Sequence, residues 1–187
     1  MIPGNAFLSV AQQAAFLLPE SLNVLTTYQR VRGGIALADA SQNRDVQDWF
    51  VSLAAGTASV GIIGSAPVFT LAAPGAETIS LAFDTAMRVS IAWQVGSVSN
   101  FYAFDTTANV FNTRQFTGTT SCRLVADDVR TVNQGASDVL LFYTAAGQLL
   151  WRQQRDNYTI ERTVGATSGK IYRAGRSAFQ RMQIELQ

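Results

Sequence analysis

The sequence predicts a mainly β chain: antiparallel four-stranded, blade-like meanders, arranged as a propeller or a sandwich, with a short N-terminal helix. Three observations predict it. Apolar residues alternate at period two in several short runs, as in Val89, Ile91, Trp93 and Val95 against Ser90, Ala92 and Gln94. Short turn-forming groups separate those runs, among them Asp105-Thr-Thr-Ala-Asn109 and Thr144-Ala-Ala-Gly147, with Gly147 able to take positive φ. The run pattern of Ile79–Phe116 then recurs in Ser121–Val164, and a period of about 40–50 residues with four strands per unit fits a propeller blade.

Taken in order, residues 1–40 read as a helix followed by an extended arm. Val10, Ala14, Leu17 and Leu18 recur at helical spacing within Ser9–Leu18, and Pro19 ends the run. Leu22–Leu37 reads as extended, with Val24, Val31, Ile35 and Leu37 as buried positions and Gly33-Gly34 as a break or bulge. Residues 41–78 read as a strand-and-turn region. Trp49 to Ala76 holds no charge, but Gly56, Gly61, Gly64, Pro67, Pro74 and Gly75 interrupt it, so strands explain it better than a membrane span.

Residues 79–164 carry the two blade-like units, 79–116 and 121–164. LAFD (Leu81–Asp84) aligns with LVAD (Leu124–Asp127) at an offset of 43, Val89–Gln94 with Asp138–Tyr143 at 49, and Asn100–Asp105 with Gln148–Gln153 at 48. The jump between the first two offsets marks an insertion, RTVNQGAS. Leu140 to Tyr143 are apolar on both sides of the strand, which predicts cover on both faces. Tyr158, Ile160, Arg162 and Val164 alternate as a last strand. Two such units cannot close a propeller, so either Leu22–Pro74 supplies further strands, the units stack as a sandwich, or partner subunits cover the edges. Residues 165–187 read as a C-terminal strand or arm that could pair with a neighbour.

Composition narrows the chemistry. The chain has 187 residues with no His and one Cys, 48% hydrophobic and 14% charged residues, and a formal net charge of +1. Without His there is no Ser-His-Asp or Cys-His machinery and no switch near neutral pH. Cys122 alone makes neither an internal disulfide nor a zinc site, and it reads as a small buried hydrophobe. A net charge this small provides no global field for nucleic acid, so no direct nucleic-acid binding is expected. Basic residues do not precede Arg30, which argues against a secretory signal. GTASVGIIG lacks the spacing of a dinucleotide or phosphate loop, and no metal, cofactor or catalytic residue is assigned.

Asp84, Asp105, Asp127 and Asp138 are the carboxylates that a glycoside hydrolase would pair. Asp84 and Asp127 end equivalent strands, which points to turn capping or ion pairs with Arg88 or Arg130 instead. Trp151, Arg152, Arg155, Tyr158 and Arg162 form an aromatic-arginine run of the composition found in interface hot spots. With Arg173, Arg176 and Ile184 of the basic, alternating tail they are the candidate interface residues. Trp151, Tyr158 or Tyr102 could alternatively stack against a sugar.

Residues 122–164, CRLVADDVRTVNQGASDVLLFYTAAGQLLWRQQRDNYTIERTV, resemble a segment of virion structural proteins of short-tailed bacteriophages. The resemblance is carried by Asp127, Asp128, Arg130, Ser137, Asp138 and Val139, then Arg152, Gln153, Gln154, Arg155, Asp156, Tyr158 and Glu161. It implies a sheet-rich tail or tail-associated component of the virion, serving as adaptor, nozzle part or fibre anchor. Its expected partners are other tail or connector proteins, and copies of itself in a ring. It also implies work done by assembly and not by catalysis.

Overall fold

The computed structural model describes residues 28–32, 48–84, 86, 88–127, 138–176 and 182–187. The expected helix Ser9–Leu18 and the insertion at 130–137 lie outside these residues. The described chain is mainly β, built as antiparallel sheets. The first sheet holds β1 (Tyr28–Arg32), β2 (Asp48–Ala54), β3 (Thr57–Ile62) and β4 (Pro67–Ala72) in that spatial order. The second holds β5 (Thr78–Phe83), β6 (Val89–Val95), β7 (Val98–Asp105) and β8 (Val110–Thr117). The third holds β9 (Thr119–Asp127), β10 (Asp138–Ala145), β11 (Gln148–Gln153) and β12 (Arg162–Ala166), and the fourth is the pair β13 (Ile171–Arg176) and β14 (Met182–Leu186).

Each four-stranded sheet is a simple meander, because hairpin turns leave no room for crossovers. The uncharged stretch Trp49–Ala76 is spent on β2, β3 and β4, and among the described residues no helix is long and apolar enough to cross a membrane. Strand β1, from the segment read as an extended arm, pairs with β2 from Tyr28↔Ser52 to Arg32↔Asp48. Residues on both sides of the sequence boundary at 40 therefore build one sheet. Among the described residues the four-stranded meanders number three, where the repeat alignment found two.

The sheets stack face to face in chain order. Val51, Ala58 and Val60 of the first pack on Ile79, Leu81, Phe83, Ile91 and Trp93 of the second. Ala82, Ala92, Phe101 and Ala103, on the opposite face, pack on Cys122, Leu124, Val139, Leu141 and Tyr143 of the third. Val125, Leu140, Phe142 and Leu149 then face Ile171 and Ala174 of the fourth. The period-two geometry of a strand thus gives each central sheet two apolar faces, as the unbroken run Leu140–Tyr143 required. The first strands run beside one another, β1 by β5, β5 by β9 and β9 by β13. Among the described residues β13 is not set against β1 in the same way, so the stack stays open.

The structure corrects two details of the repeat. Ile91 and Leu141 both face the preceding sheet, whereas Leu140 faces the following one. The hairpin turns also superpose Val95↔Val98 on Ala145↔Gln148. The offset for both hairpin strands is therefore 50, not 49 or 48, and the one-residue error at the first strand would have turned every side chain to the wrong face. Strand β12 begins at Arg162. Tyr158 is not part of it and stands in a turn at φ +59°.

Two hairpins share a two-residue turn with both positions at positive φ: Ala55-Gly56 (48° and 73°) and Ala146-Gly147 (48° and 73°). This is the type I′ geometry that matches strand twist and favours Asn-Gly. Alanine pays a Cβ clash there. Ala146→Asn is therefore expected to raise stability by about 0.5–1 kcal/mol. Urea denaturation checks it, and an unchanged or lower midpoint would count against the strain.

Candidate functional site

The polar and aromatic groups of the chain concentrate at the seams between sheets and at the outer ends of the strands. Three clusters hold the second and third sheets together.

At the first, Asp84 follows β5 and is buried. Its Oδ1 accepts the N–H groups of Ala86 and Arg88, both at 2.9 Å, so it caps the turn. Its Oδ2 accepts from Arg88 Nε at 2.6 Å and from Gln154 Nε2 of the third sheet at 2.8 Å. The Arg88 guanidinium lies 4.2 Å from the Phe104 ring centroid. Capping and ion pairing, the two structural roles expected for Asp84, are met by one carboxylate.

At the second, Asp105 ends β7. Its Oδ1 accepts the Thr107 and Ala108 N–H groups at 2.9 Å each and Asn157 Nδ2 at 2.7 Å, and its Oδ2 takes Arg114 at 2.7 Å. Arg114 also donates to the carbonyl of Asn157, so the β7–β8 turn is bolted to the third sheet. The Ala108 N–H is the largest influence on the carboxyl, partial burial opposes it, and Asn157, Thr107 and Asn112 add to it; together they hold it down at about 2. Its folded value lies below its unfolded value, so the stability it contributes is present above about pH 3.8 and is lost as pH falls toward about 2. The thermal midpoint is therefore expected to fall across that window, and less steeply in Asp105→Asn. An identical acid profile for the variant would show that Asp105 contributes no linkage.

At the third, Arg152 of β11 lies 4.8 Å from the Phe116 ring centroid. Its Nε donates to Tyr143 Oη at 2.8 Å, one terminal nitrogen to the Tyr158 and Thr159 carbonyls at 2.9 and 3.1 Å, and the other to Glu161 at 3.0 Å. Tyr143 in turn donates to Glu161. Burial first, and then the Glu161 carboxylate that accepts its proton, push the Tyr143 phenol up to about 12. Tyr158 is 2% exposed, with its ring edge-on to Phe101 at 4.5 Å.

The sequence candidates are thus divided. Arg152 and Tyr158 serve inside the chain, which corrects the expectation that Tyr158 offers a surface ring. Trp151 is half-buried, stacked on Phe142 with centroids 6.2 Å apart, and Arg162 covers it at 4.9 Å while pairing with Asp156 at 2.5 Å. Arg155 is exposed. Arg173 and Arg176 lie on β13 opposite Glu185 and Met182 of β14. Ile184, half-buried, packs toward the third sheet. Backbone alone places Asp127 and Asp138, which face each other across β9 and β10.

Buried hydroxyls form a further joint. The N–H of Leu124 donates to Ser80 Oγ at 2.9 Å, and the N–H of Ile171 to Ser121 Oγ at 2.8 Å, so each first strand after β5 is tied to the one before it. Nothing in the spacing of Ser80 or Ser121 announces this, nor the reach of Gln154 and Asn157 across a seam. An aromatic row was also missed. Phe69 of β4, Tyr102 of β7 and Phe111 of β8 stack at 5.6 and 5.3 Å between centroids, and Phe104 meets Phe111 at 5.2 Å. Phe111 is 40% exposed. Phe69 and Phe111 each follow an apolar residue, Val68 and Val110, so period-two alternation does not mark them out in the sequence. Comparisons with protein-family models, with curated proteins and with solved structures give no match for the chain.

Proposed function

We propose that the chain is a structural subunit that acts by protein–protein assembly, without chemistry of its own. The observation that carries this reading is the stack, open among the described residues: three four-stranded sheets followed by a two-stranded one, with the first and last sheets each covered by described residues on one side. Such a stack is an arc of a propeller whose two ends await neighbours. A head-to-tail joint between ends closes into a ring when the rotation per copy permits. The setting, a tail or connector of a short-tailed phage particle with other tail proteins as partners, rests on the resemblance of residues 122–164. The buried carboxylates Asp84 and Asp105 are fully engaged in holding turns and seams, which favours a structural use over paired-acid hydrolysis.

Gel filtration with light scattering tests the reading. A discrete multiple of the 20.2 kDa chain mass is expected, or co-purification with tail proteins. A monomer that joins no tail particle overturns it.

One observation favours a second reading, a glycan-binding module: the half-exposed row of Tyr102, Phe69 and Phe111 offers aromatic surface of the kind on which sugar rings stack. Calorimetry with host envelope polysaccharide, repeated on Phe111→Ala, decides it.

A further inference from the structure

The aromatic row at the outer end of the first seam ends on an arginine. Successive side chains of β7 alternate in direction, so Tyr102 and Phe104 share one face while Phe101, Ala103 and Asp105 take the other. Phe111 of β8 pairs with Phe104, and Thr113 with Tyr102, so both stand on the face of the row. The first sheet meets this face through Phe69, stacked on Tyr102. Thr113 is exposed, and Phe111 is 40% exposed. The Tyr102 and Phe111 planes are 8° apart with centroids 5.3 Å apart, an offset stack that leaves part of the Phe111 ring open.

The guanidinium of Arg88 lies on Phe104, the ring next to Phe111. Arg88 reaches Asp84 through Nε, and its two terminal nitrogens have no partner among the described residues. Its side chain keeps 33% of its exposure. Asp84 does not compete for an incoming group. It is 1% exposed, with Oδ1 taken by two backbone N–H groups and Oδ2 by Arg88 and Gln154. Asp105, the other carboxylate at this end of the second sheet, belongs to the opposite face and is held by Arg114. Arg114 and Arg152, by contrast, spend their terminal nitrogens inside the chain.

We infer that this end of the first seam binds a carboxylate-bearing glycan, with a sugar ring on Phe111 and its acid group on the terminal nitrogens of Arg88. The inference rests on the glycan-binding reading and names the class of sugar. The polarised C–H groups on one face of a pyranose are drawn to the electron-rich face of an aromatic ring. A guanidinium offers a planar fork that matches a carboxylate with two parallel hydrogen bonds. A neutral glycan leaves that fork unused. An apolar protein anchor set here would bury it without an acceptor, at a cost.

Calorimetry on the full-length protein tests this with two probes, a galacturonic acid trimer and its methyl ester, which differ only in charge and acceptor strength at the acid group. The trimer is expected to bind about tenfold or more tightly than the ester. Phe111→Ala is expected to weaken both probes. Arg88→Lys keeps a cation for Asp84 but removes the fork, and is expected to weaken the trimer and leave the ester unchanged. Equal affinity for trimer and ester, or a trimer affinity untouched by Arg88→Lys, overturns the acid class and leaves glycan binding standing. Binding of neither probe at millimolar concentration overturns the site, and overturns the glycan reading with it when host envelope polysaccharide also fails to bind. A light-scattering mass that falls in Phe111→Ala while no sugar binds makes the row a contact between subunits, which overturns the site in favour of assembly.

Discussion

Phe101→Ala is expected to destabilise the protein by about 3–5 kcal/mol. Phe101 is 0% exposed at the centre of the second seam. It packs among Ala82, Ala92, Leu124 and Leu141 and presents its ring to the edge of Tyr158. Removing the ring costs its transfer free energy and leaves a void. The void collapses poorly because β7 is pinned on both sides, by Trp93↔Asn100 and by Phe101↔Arg114. The measurement is urea unfolding followed by tryptophan fluorescence and by circular dichroism. Val164→Ala, at a position 58% exposed, serves as the control and is expected to stay within about 0.5 kcal/mol of the parent. A Phe101→Ala loss no larger than the control's would mean that the two sheets do not depend on this seam.

Asp84→Ala is expected to cost about 2–4 kcal/mol, short of the full range for an enclosed pair because Arg88 keeps 33% of its side-chain exposure. The substitution strands the Ala86 and Arg88 N–H groups and the buried amide of Gln154 at once. Asp84→Asn keeps an acceptor for the turn and is expected to lose less. Equal losses in the two variants would show that the charge, not the hydrogen-bond geometry, sets the energy. A small loss in both would mean that water replaces the carboxylate at little cost.

Much of the architecture was legible because strands write themselves at period two. Both Val89–Val95 and Leu140–Tyr143 are covered on both faces. Val89–Val95 puts its large apolar residues toward the first sheet and the small or polar Ser90, Ala92 and Gln94 on the other face, so it alternates, whereas Leu140–Tyr143 carries large apolar residues on both. The first sheet was harder to read. Its strands are rich in Ala, Gly, Ser and Thr, as in TASVGI, so apolar contrast between faces is low, and the unit escaped alignment with its siblings. Tyr158 misled for a different reason. Tyr158, Ile160, Arg162 and Val164 keep a strand's spacing, yet Asn157 and Tyr158 both take positive φ after a short 3-10 turn at Gln154–Asp156. The rewards for that departure are the ring contact with Phe101 and the Arg114 bond to Asn157, neither of which is local in sequence. For the same reason the aromatic-arginine run could be seen in the chain while its use could not. Arg152 has hot-spot composition, but its donors are taken up by Tyr143, Glu161 and two carbonyls of its own sheet.

The order of stacking has a consequence for how the molecule is made. Among the described residues, each sheet is a local meander or hairpin and each seam joins sheets that are neighbours in the chain. As the polypeptide leaves the ribosome, each completed meander can dock on the one synthesised just before it, without waiting for distant sequence. Loop closure is cheap at each step, which favours fast, stepwise folding. The cost is a transient one: after each addition the newest sheet shows a bare apolar face until its successor arrives, and that face is where a nascent chain would aggregate or recruit a chaperone. The last addition is a narrow hairpin that packs Ile171, Ala174 and Ile184 onto the third sheet. In pulse-labelled hydrogen exchange the protection of the four sheets is expected to follow chain order, with β13–β14 the last to gain it and the first to lose it.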